Sequence, residues 1–287
     1  PTPLSTHGAK GANGENEYQF TERYLEPQEF MVYLEFNPRD YEKYWKFAQP
    51  DGNLVFRELD PKIQATMLRL LMDKKNEYIG NAIWTSAKGG KAAAGITNPA
   101  GCIEIGRGKE KYFDGVIKRI IDNVNATDAE TVAGGQCIVS GNTELADGAA
   151  VEAALYAMWK KCPKQIRKKS SLSFIIGWDA WDAYDQYISD KQVKYSENTE
   201  VNRYRFKGKK IIPIVGIPEH TILLGEFSTG MESNLWLGVD YANDTEVLKV
   251  DRLQSNSELF FFLMRMKMDV NIVRPAEIVI HTAYKKS

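Results

Sequence analysis

The chain has 287 residues, of which 43% are hydrophobic and 26% are charged, and its formal net charge is −1. This length holds about two ordinary domains or one large one, and the composition is that of a globular protein. The near-neutral charge excludes a strong overall attraction to nucleic acid or to a membrane surface, and no apolar run approaches the roughly 20 residues of a membrane-spanning helix. Cys102, Cys137 and Cys162 lie far apart in an odd-numbered set, so we expect free thiols in a reducing compartment.

The first 24 residues are rich in Gly, Ala, Asn, Thr and Glu, and they show no helical or strand period. Such a segment has too few apolar side chains to offset the entropy that ordering would cost. It is predicted to be either disordered or an arm that folds against other subunits.

Residues 30–58 are predicted to form a long, aromatic-rich hairpin. Alternating apolar residues from Phe30 to Phe36 indicate the first strand, residues 49–53 indicate a turn, and residues 54–59 indicate the return strand. A lone two-stranded hairpin is marginally stable in water, so this one needs a surface on which to lie. Its aromatic residues could be ordinary core, but we favour an association surface for some of them, because so short a hairpin has little core. These residues are Tyr33, Trp45, Phe47 and Phe56.

A long helix is predicted from Pro61 to Trp84, with Asp60 as its N-cap and Pro61 at the first helical position. Its apolar residues fall on one face at helical spacing. They are Ile63, Met67, Leu70, Leu71, Ile79 and Ile83.

The rest of the chain alternates between the two types of element. The predicted order is a helical turn over 113–121, a strand at 137–139, a helix between Asp147 and Pro163, a strand at 172–176, a helix with Trp178, Trp181, Tyr184 and Ile188 on its core face, an exposed polar loop over 189–210, and a β-rich end from Ile211. The fold class is therefore α+β.

The C-terminal quarter shows a recognisable order of features. A strand with a proline near its middle (209–218) precedes a short strand ending in Gly225, and a long final strand (260–273) runs into Arg274-Pro275-Ala276. Together with Phe113-Asp114-Gly115-Val116 and the elements before it, this order resembles the major capsid proteins of tailed phages of the Hong Kong 97 type over nearly the whole chain. The residues around Tyr44-Trp45, Phe56-Arg57-Glu58-Leu59 and Pro61 are especially similar to those of phages and prophages of Bacteroidetes-type hosts.

The resemblance implies a Hong Kong 97-type division of the chain. Residues 1–28 would be the N-terminal arm, 29–59 the extended E-loop, 60–150 and 251–287 the P-domain with its spine helix at 60–84, and 151–250 the A-domain. It implies a structural protein, not an enzyme, whose hexamers and pentamers close into an icosahedral shell around double-stranded DNA.

The resemblance also implies partners and a location. The partners would be further copies of the chain, scaffolding, portal and decoration proteins, and packaged DNA held by non-specific contacts on the inner face, with no membrane. The protein would be assembled in the bacterial cytoplasm and located in the virion. Lys43 and Lys46 lie in the predicted E-loop, but no matching Asn and Glu can be identified, so they are interpreted as solvated lysines and no crosslink is predicted.

Patterns that suggest catalysis are weak, and no catalytic, cofactor-binding or metal-binding residue is predicted. Gly89-Gly90-Lys91-Ala92 has Ala where a phosphate loop needs Ser or Thr. His7, His220 and His281 have no carboxylate or thiol at metal-ligand spacing. Asp179, Asp182 and Asp185 are interpreted as the solvated face of a helix.

One basic cluster stands out in the sequence, at the end of the helix that Pro163 stops. It could contact phosphates of a packaged genome or pair with acidic residues of a neighbouring subunit, but a helix end followed by a solvated loop is the favoured interpretation. Its members are Lys160, Lys161, Lys164, Arg167, Lys168 and Lys169.

Two alternatives to a phage capsid remain open at this point. An encapsulin-like compartment would share the fold and enclose cargo enzymes, although encapsulins usually begin with a helix where this chain has a Gly-rich segment. An enzyme of mixed α+β fold would need a deep pocket with convergent ionisable groups.

Overall fold

The structure is a computed structural model that describes residues 23–37, 61–107, 112–124, 137–190, 204–239, 247–254 and 259–286. The predicted N-terminal arm before residue 23 lies outside these ranges. So do the turn and return strand of the E-loop, with Trp45, Phe47, Phe56, Lys43 and Lys46. The pairing of the predicted hairpin with its own return strand therefore stays a prediction.

Four of the five described α-helices lie close to predicted positions, and the short α2 was not predicted. The helices are α1 Pro61–Thr85, α2 Lys91–Ala94, α3 Val116–Asp122, α4 Gly148–Lys161 and α5 Trp178–Asp190, with 3₁₀ turns at Ile166–Lys168 and Pro275–Glu277. Pro61 occupies the first helical position of α1, where its missing N–H has no intrahelical partner to lose.

The strands outnumber those expected from the sequence. They are β1 Gln28–Phe36, β2 Ile96–Thr97, β3 Ile138–Gly141, β4 Leu172–Gly177, β5 Arg205–Phe206, β6 Lys209–Ile214, β7 Thr221–Glu226, β8 Leu235–Val239, β9 Val247–Arg252, β10 Phe260–Ile272, β11 Val279–Thr282 and β12 Lys285–Lys286. β2 and β12 form a small antiparallel pair.

A six-stranded sheet has the order β3-β11-β7-β4-β6-β5. Its β3–β11 and β4–β6 pairs are parallel, and the other pairs are antiparallel. Alternate residues of β4 enter different cores: Phe174 and Ile176 pack with helices α4 and α5, whereas Ile175 packs with the core on the opposite face. Burial on both faces explains why the sequence of β4 is a nearly continuous apolar run.

The second large sheet is built around the long strand β10. β1 pairs with one edge of β10 over nine residues, from Gln28–Met268 to Phe36–Phe260. The other edge is shared by β9, opposite the first half of β10, and β8, opposite the second half. The inner face of β10 and the apolar side of α3 complete the core on the second face of the six-stranded sheet.

Both sheets combine strands from different predicted domains. β3 and β11, which were assigned to the P-domain, pair with each other, and β11 pairs with β7 of the predicted A-domain. β8 lies in the predicted A-domain and β9 spans its predicted boundary at 250, and both strands pair with β10. The division into P-domain and A-domain stays a prediction. Its boundary at 150 falls inside α4 and its boundary at 250 falls inside β9, and the division separates strands that pair within one sheet.

Three local predictions are wrong. The stretch 189–210 is not polar loop throughout, because Lys207 and Gly208, both at positive φ, form a tight turn between β5 and β6 and Phe206 is buried. Trp178 is not on the core face, since its side chain is 45% exposed. Leu70 is 62% exposed, and the buried residues near the end of α1 are Ala82, Trp84 and Thr85.

Candidate assembly surface

The two faces of the β1–β10 ladder differ in burial. On the inner face, Phe30 is buried and stacks on Tyr112 with ring centroids 5.5 Å apart, and its cross-strand partner Met266 is also buried. On the outer face, Met31 is 49% exposed and Tyr33 is 41% exposed. The alternation that predicted a strand is therefore present, although Leu34 of the inner face is also exposed. The outer face of β1 carries two exposed apolar side chains, Met31 and Tyr33, between the charged Glu29 and Glu35.

The exposed side chains of β1 continue into a strip across β10. Tyr33 lies opposite Leu263 and stacks on Phe261, with ring centroids 6.0 Å apart, and its hydroxyl donates to Glu35. We call Met31, Tyr33, Phe261 and Leu263 the β1 strip. Apolar side chains grouped in this way on a surface are typical of association sites.

Polar contacts fix the segment that leads into β1. Asp269, which is buried on β10, accepts hydrogen bonds from the backbone N–H of Glu26 at 3.0 Å and from Arg119 at 3.2 Å. The side-chain amide of Asn271 donates to the carbonyl of Tyr24 at 2.7 Å. The path of residues 23–27 across the sheet is thus set by paired buried and half-buried groups, which are costly to leave unsatisfied.

A second polar cluster joins the two large sheets. Glu226, whose side chain is only 2% exposed at the end of β7, accepts hydrogen bonds from Lys169 at 2.7 Å, Ser171 at 2.5 Å and Arg274 at 3.0 Å. Burial alone would raise the pKa of Glu226, but these hydrogen bonds and positive charges outweigh it and hold the pKa below its usual range. Arg274 comes from the Arg-Pro-Ala motif, so this motif has a structural role in the chain.

Asn234 completes this junction from the side of β8. It is fully buried, its side-chain amide donates to the carbonyl of Arg274 at 2.8 Å, and its side-chain carbonyl accepts from the N–H of Arg274 at 2.6 Å. The reciprocal pair fixes the turn after β10 against the loop before β8.

The basic cluster divides into engaged and available side chains. Arg167 donates to the carbonyls of Trp159, Lys160 and Cys162, where it satisfies the exposed carbonyl groups at the end of α4. Lys161 donates to Val139, and Lys169 pairs with Glu226 and Glu277. Lys160, Lys164 and Lys168 form no ion pair with any residue in the described ranges, so part of the predicted cluster is a helix end and part remains free for a partner.

The histidines and the glycine-rich loop have local structural roles. His281 is buried, and its Nε2 lies 3.0 Å from the carbonyl of Thr143, whereas the Nδ1 of His220 accepts from the N–H of Leu145 at 3.0 Å. Both therefore hold the connection between β3 and α4. Lys91, in the glycine-rich loop, pairs with Glu104.

The cysteines are free thiols, and Cys137 and Cys162 are buried. Burial raises the pKa of Cys137 to about 12, so its reactive thiolate is not populated at neutral pH. Within the described ranges, no group of three His, Cys, Asp or Glu side chains could hold a metal ion. No helix in this part of the chain has the length and apolar character needed to cross a membrane.

Comparisons with known proteins identify the fold. No protein-family model and no curated protein matches the sequence. A chain of the satellite phage P4 procapsid that includes the size determination (Sid) protein aligns over 98% of this chain and 77% of its own length, with a TM-score of 0.57 and 10% identity. A capsid chain of the empty GTA particle aligns over 94% of this chain and 79% of its own length, with a TM-score of 0.54 and 12% identity.

The chain therefore has the fold of phage capsid proteins, as the Hong Kong 97-type resemblance predicted. A SrpI encapsulin chain from Synechococcus elongatus aligns over 88% of this chain and 72% of its own length at 12% identity, but its TM-score of 0.46 carries no weight. The similarity to capsid proteins of Bacteroidetes-type hosts stays a prediction.

Sequence reasoning missed several residues of these surfaces. Asp269 lies inside an apolar strand, and Glu226 ends another, so a lone acidic residue in an apolar run was the available signal. No local pattern indicated that Arg119, about 150 positions away, would pair with Asp269, because that contact depends on how α3 packs against β10.

Proposed function

We propose that this chain is the major capsid protein of a tailed phage or prophage, a structural protein that assembles with copies of itself. Hexamers and pentamers would close into an icosahedral shell around double-stranded DNA. The observation that carries the proposal is the alignment of 98% of the chain with a chain of a phage procapsid. At 10% identity this likeness concerns the fold, so the function remains a proposal.

The surface of the single chain supports an assembling protein. Met31 and Tyr33 of the β1 strip and Leu70 of α1 are exposed apolar side chains that a monomer would leave in water. Burial of apolar area between copies is the main favourable term in association, at roughly 25 cal/mol per Å². Small contributions of this kind sum over many contacts in a closed shell.

The division into arm, E-loop, P-domain and A-domain belongs to the same proposal. In this arrangement, the arm and the E-loop extend from each copy and overlap its neighbours. The polar contacts of Asp269 and Asn271 with residues 24 and 26 support it, because they give the arm a fixed point of departure from the β10 sheet. Scaffolding, portal and decoration proteins would be further partners.

Negative-stain electron microscopy after size-exclusion chromatography of the overexpressed protein tests the proposal. We expect closed shells or capsomer-sized rings. A protein that stays monomeric under all conditions, including those that promote assembly, would contradict it. The encapsulin alternative predicts shells that enclose a protein cargo and no DNA, so the nucleic-acid content and protein composition of purified particles decide between the two.

A further inference from the structure

A basic groove of about 680 Å³ lies where α4 ends. Its base is aromatic, because Tyr156 packs edge-on against the buried Phe206 at 4.9 Å and Trp159 lies beneath the guanidinium of Arg167 at 5.3 Å. An aromatic base with cations around it fits a ligand that combines an apolar ring with negative charge.

The cations at the rim of the groove are available to a partner. Lys160 and Lys164 are exposed and form no ion pair within the described part of the chain. Lys207, on the turn between β5 and β6, lies with its ammonium 4.9 Å from the ring of Tyr156. The groove is thus lined by four cations: Arg167 and Lys207 lie over aromatic rings, whereas Lys160 and Lys164 are left for a partner.

The first turn of α5 has the complementary character. Trp178 is one of the most exposed aromatic side chains of the described chain. Asp179 and Asp182 are exposed on the same helix and form no ion pair with any described residue. Because residues i and i+4 share a helix face, Asp182 lies beside Trp178, and a ring flanked by two carboxylates is presented to solvent.

These two surfaces lie at opposite ends of strand β4. The chain passes from α4 through Ile166–Lys168 into the start of β4, and α5 begins directly after β4 ends. Lys207 belongs to the first end, because Lys210 of β6 lies opposite Ser173 near the start of β4. Six strand residues span roughly 20 Å at 3.3 Å per residue, so the groove and the first turn of α5 cannot meet within one chain.

We propose that the first turn of α5 in one copy docks into the basic groove of the next copy. Trp178 would pack on the aromatic base, and Asp179 and Asp182 would face Lys160 and Lys164. Different surfaces at opposite ends of the subunit make this contact heterologous, which is the kind that closes into rings. The proposal rests on the proposed shell function and specifies one contact within it.

Charge reversal and its rescue test the contact. Lys160→Glu with Lys164→Glu, and separately Asp179→Lys with Asp182→Lys, are each expected to lower the yield of rings or shells at least tenfold. The two reversed proteins mixed together should regain six-membered rings, in which the two proteins alternate. All four substitutions in one chain should regain both rings and shells, since attraction is restored with its sign exchanged. Lys168→Glu removes a free cation outside the groove and serves as the matched control.

A second variant separates the aromatic contact from the charges. Trp178→Ala should reduce assembly as strongly as either charge reversal, because buried aromatic anchors dominate interfaces. Met231→Ala is its control, since Met231 is an exposed apolar side chain distant in sequence from the first turn of α5. Thermal unfolding of each variant, compared with the unmodified chain, verifies that the fold is retained.

These experiments distinguish failure of the proposed contact from failure of the proposed shell function. Normal assembly of both charge-reversed proteins and of Trp178→Ala would overturn this contact while leaving the shell function intact. Particles that form normally but lose nucleic acid when Lys160 and Lys164 are reversed would also overturn it, because the groove would then bind phosphates. Failure of the unmodified chain to assemble under any condition would overturn the shell function and, with it, this contact.

Discussion

The carboxylate of Glu226 is a buried charge that the chain satisfies with three donors from two separate segments. Lys169 and Ser171 precede β4, and Arg274 follows β10, so a single side chain connects both large sheets. Removing the partners of a buried charge, or removing the charge from between its partners, destabilises a protein strongly. Loss of the Glu226 charge would destabilise this chain less than that, because water can solvate its partly exposed partners Lys169 and Arg274.

Glu226→Gln is expected to lower the free energy of unfolding at pH 7 by about 1–3 kcal/mol. The folded pKa of Glu226 is below its unfolded value, so its contribution is complete above about pH 4.3 and is lost as the pH falls through the folded pKa. The difference between the variant and the unmodified chain in denaturant titrations should therefore shrink under acidic conditions. Glu277→Gln, at a more exposed partner of the same cations, is the control. A difference in unfolding free energy that does not change with pH would contradict the lowered pKa of Glu226.

His281 is the other buried ionisable residue with a clear pH consequence. Burial lowers its pKa, and its Nδ1 has no hydrogen-bond partner, so the neutral ring is the stable form in the folded chain. The unfolded chain takes up a proton near pH 6.5, above the folded pKa, so stability falls as the pH drops below that value. Glu144, which follows Thr143, the hydrogen-bond partner of His281, is the charged residue nearest in sequence to that contact.

His281→Gln is expected to flatten the fall in melting temperature between pH 7 and pH 5, because the amide can donate to Thr143 but does not titrate. Melting curves at half-unit pH intervals measure this slope. His220→Gln, at the second histidine of the same connection, identifies the residue responsible. If the slope disappeared in His220→Gln and persisted in His281→Gln, the assignment to His281 would be wrong.

Among the elements, α4 and α5 pack closely enough that one position between them must be glycine. A Cβ added at Gly148 would lie 2.3 Å from the carbonyl oxygen of Ala183 and 2.3 Å from the Cβ of Tyr187. Gly148→Ala is thus expected to destabilise the chain by about 1–3 kcal/mol, the usual cost of overpacking. Gly80→Ala in α1 is the control, since nothing lies within 4 Å of the added carbon and helix propensity favours Ala. Equal melting temperatures for the two variants would rule out the close approach.

Helices and strands with a regular apolar period could be predicted from the sequence, but contacts between distant segments could not. The boundaries of α1 and α4 were predicted to within one or two residues, because Pro61 and Pro163 mark them. The exposure of Trp178 could not be predicted, since its spacing fits the apolar face of α5. Only the position of the six-stranded sheet determines where that face ends. Short strands such as β5 have too few residues for a period, and Lys207-Gly208 was the only local signal.

At the scale of the whole molecule, β10 organises the fold and the proposed assembly together. Its inner face contributes to the core, one edge pairs with β1, and its outer face carries half of the β1 strip. The same strand also holds residues 24 and 26 through Asn271 and Asp269. A strand that contacts the core, the segment leading into β1 and an exposed apolar surface would couple the position of neighbouring copies in the proposed shell to the stability of each one.

The β1 strip should therefore contribute to assembly more than to the stability of the single chain. Met31→Thr with Tyr33→Thr places β-branched residues, which favour strands, at both positions while removing exposed apolar area. The melting temperature of unassembled protein should therefore change little, by an amount equivalent to about 1 kcal/mol or less. The yield of shells should fall at least tenfold, as measured by sedimentation and electron microscopy at matched protein concentration. Val273→Thr, at an exposed apolar position just after β10, controls for a general loss of surface hydrophobicity. If both variants assembled equally well, the strip would be ordinary surface, and the contacts between copies would have to lie elsewhere on the chain.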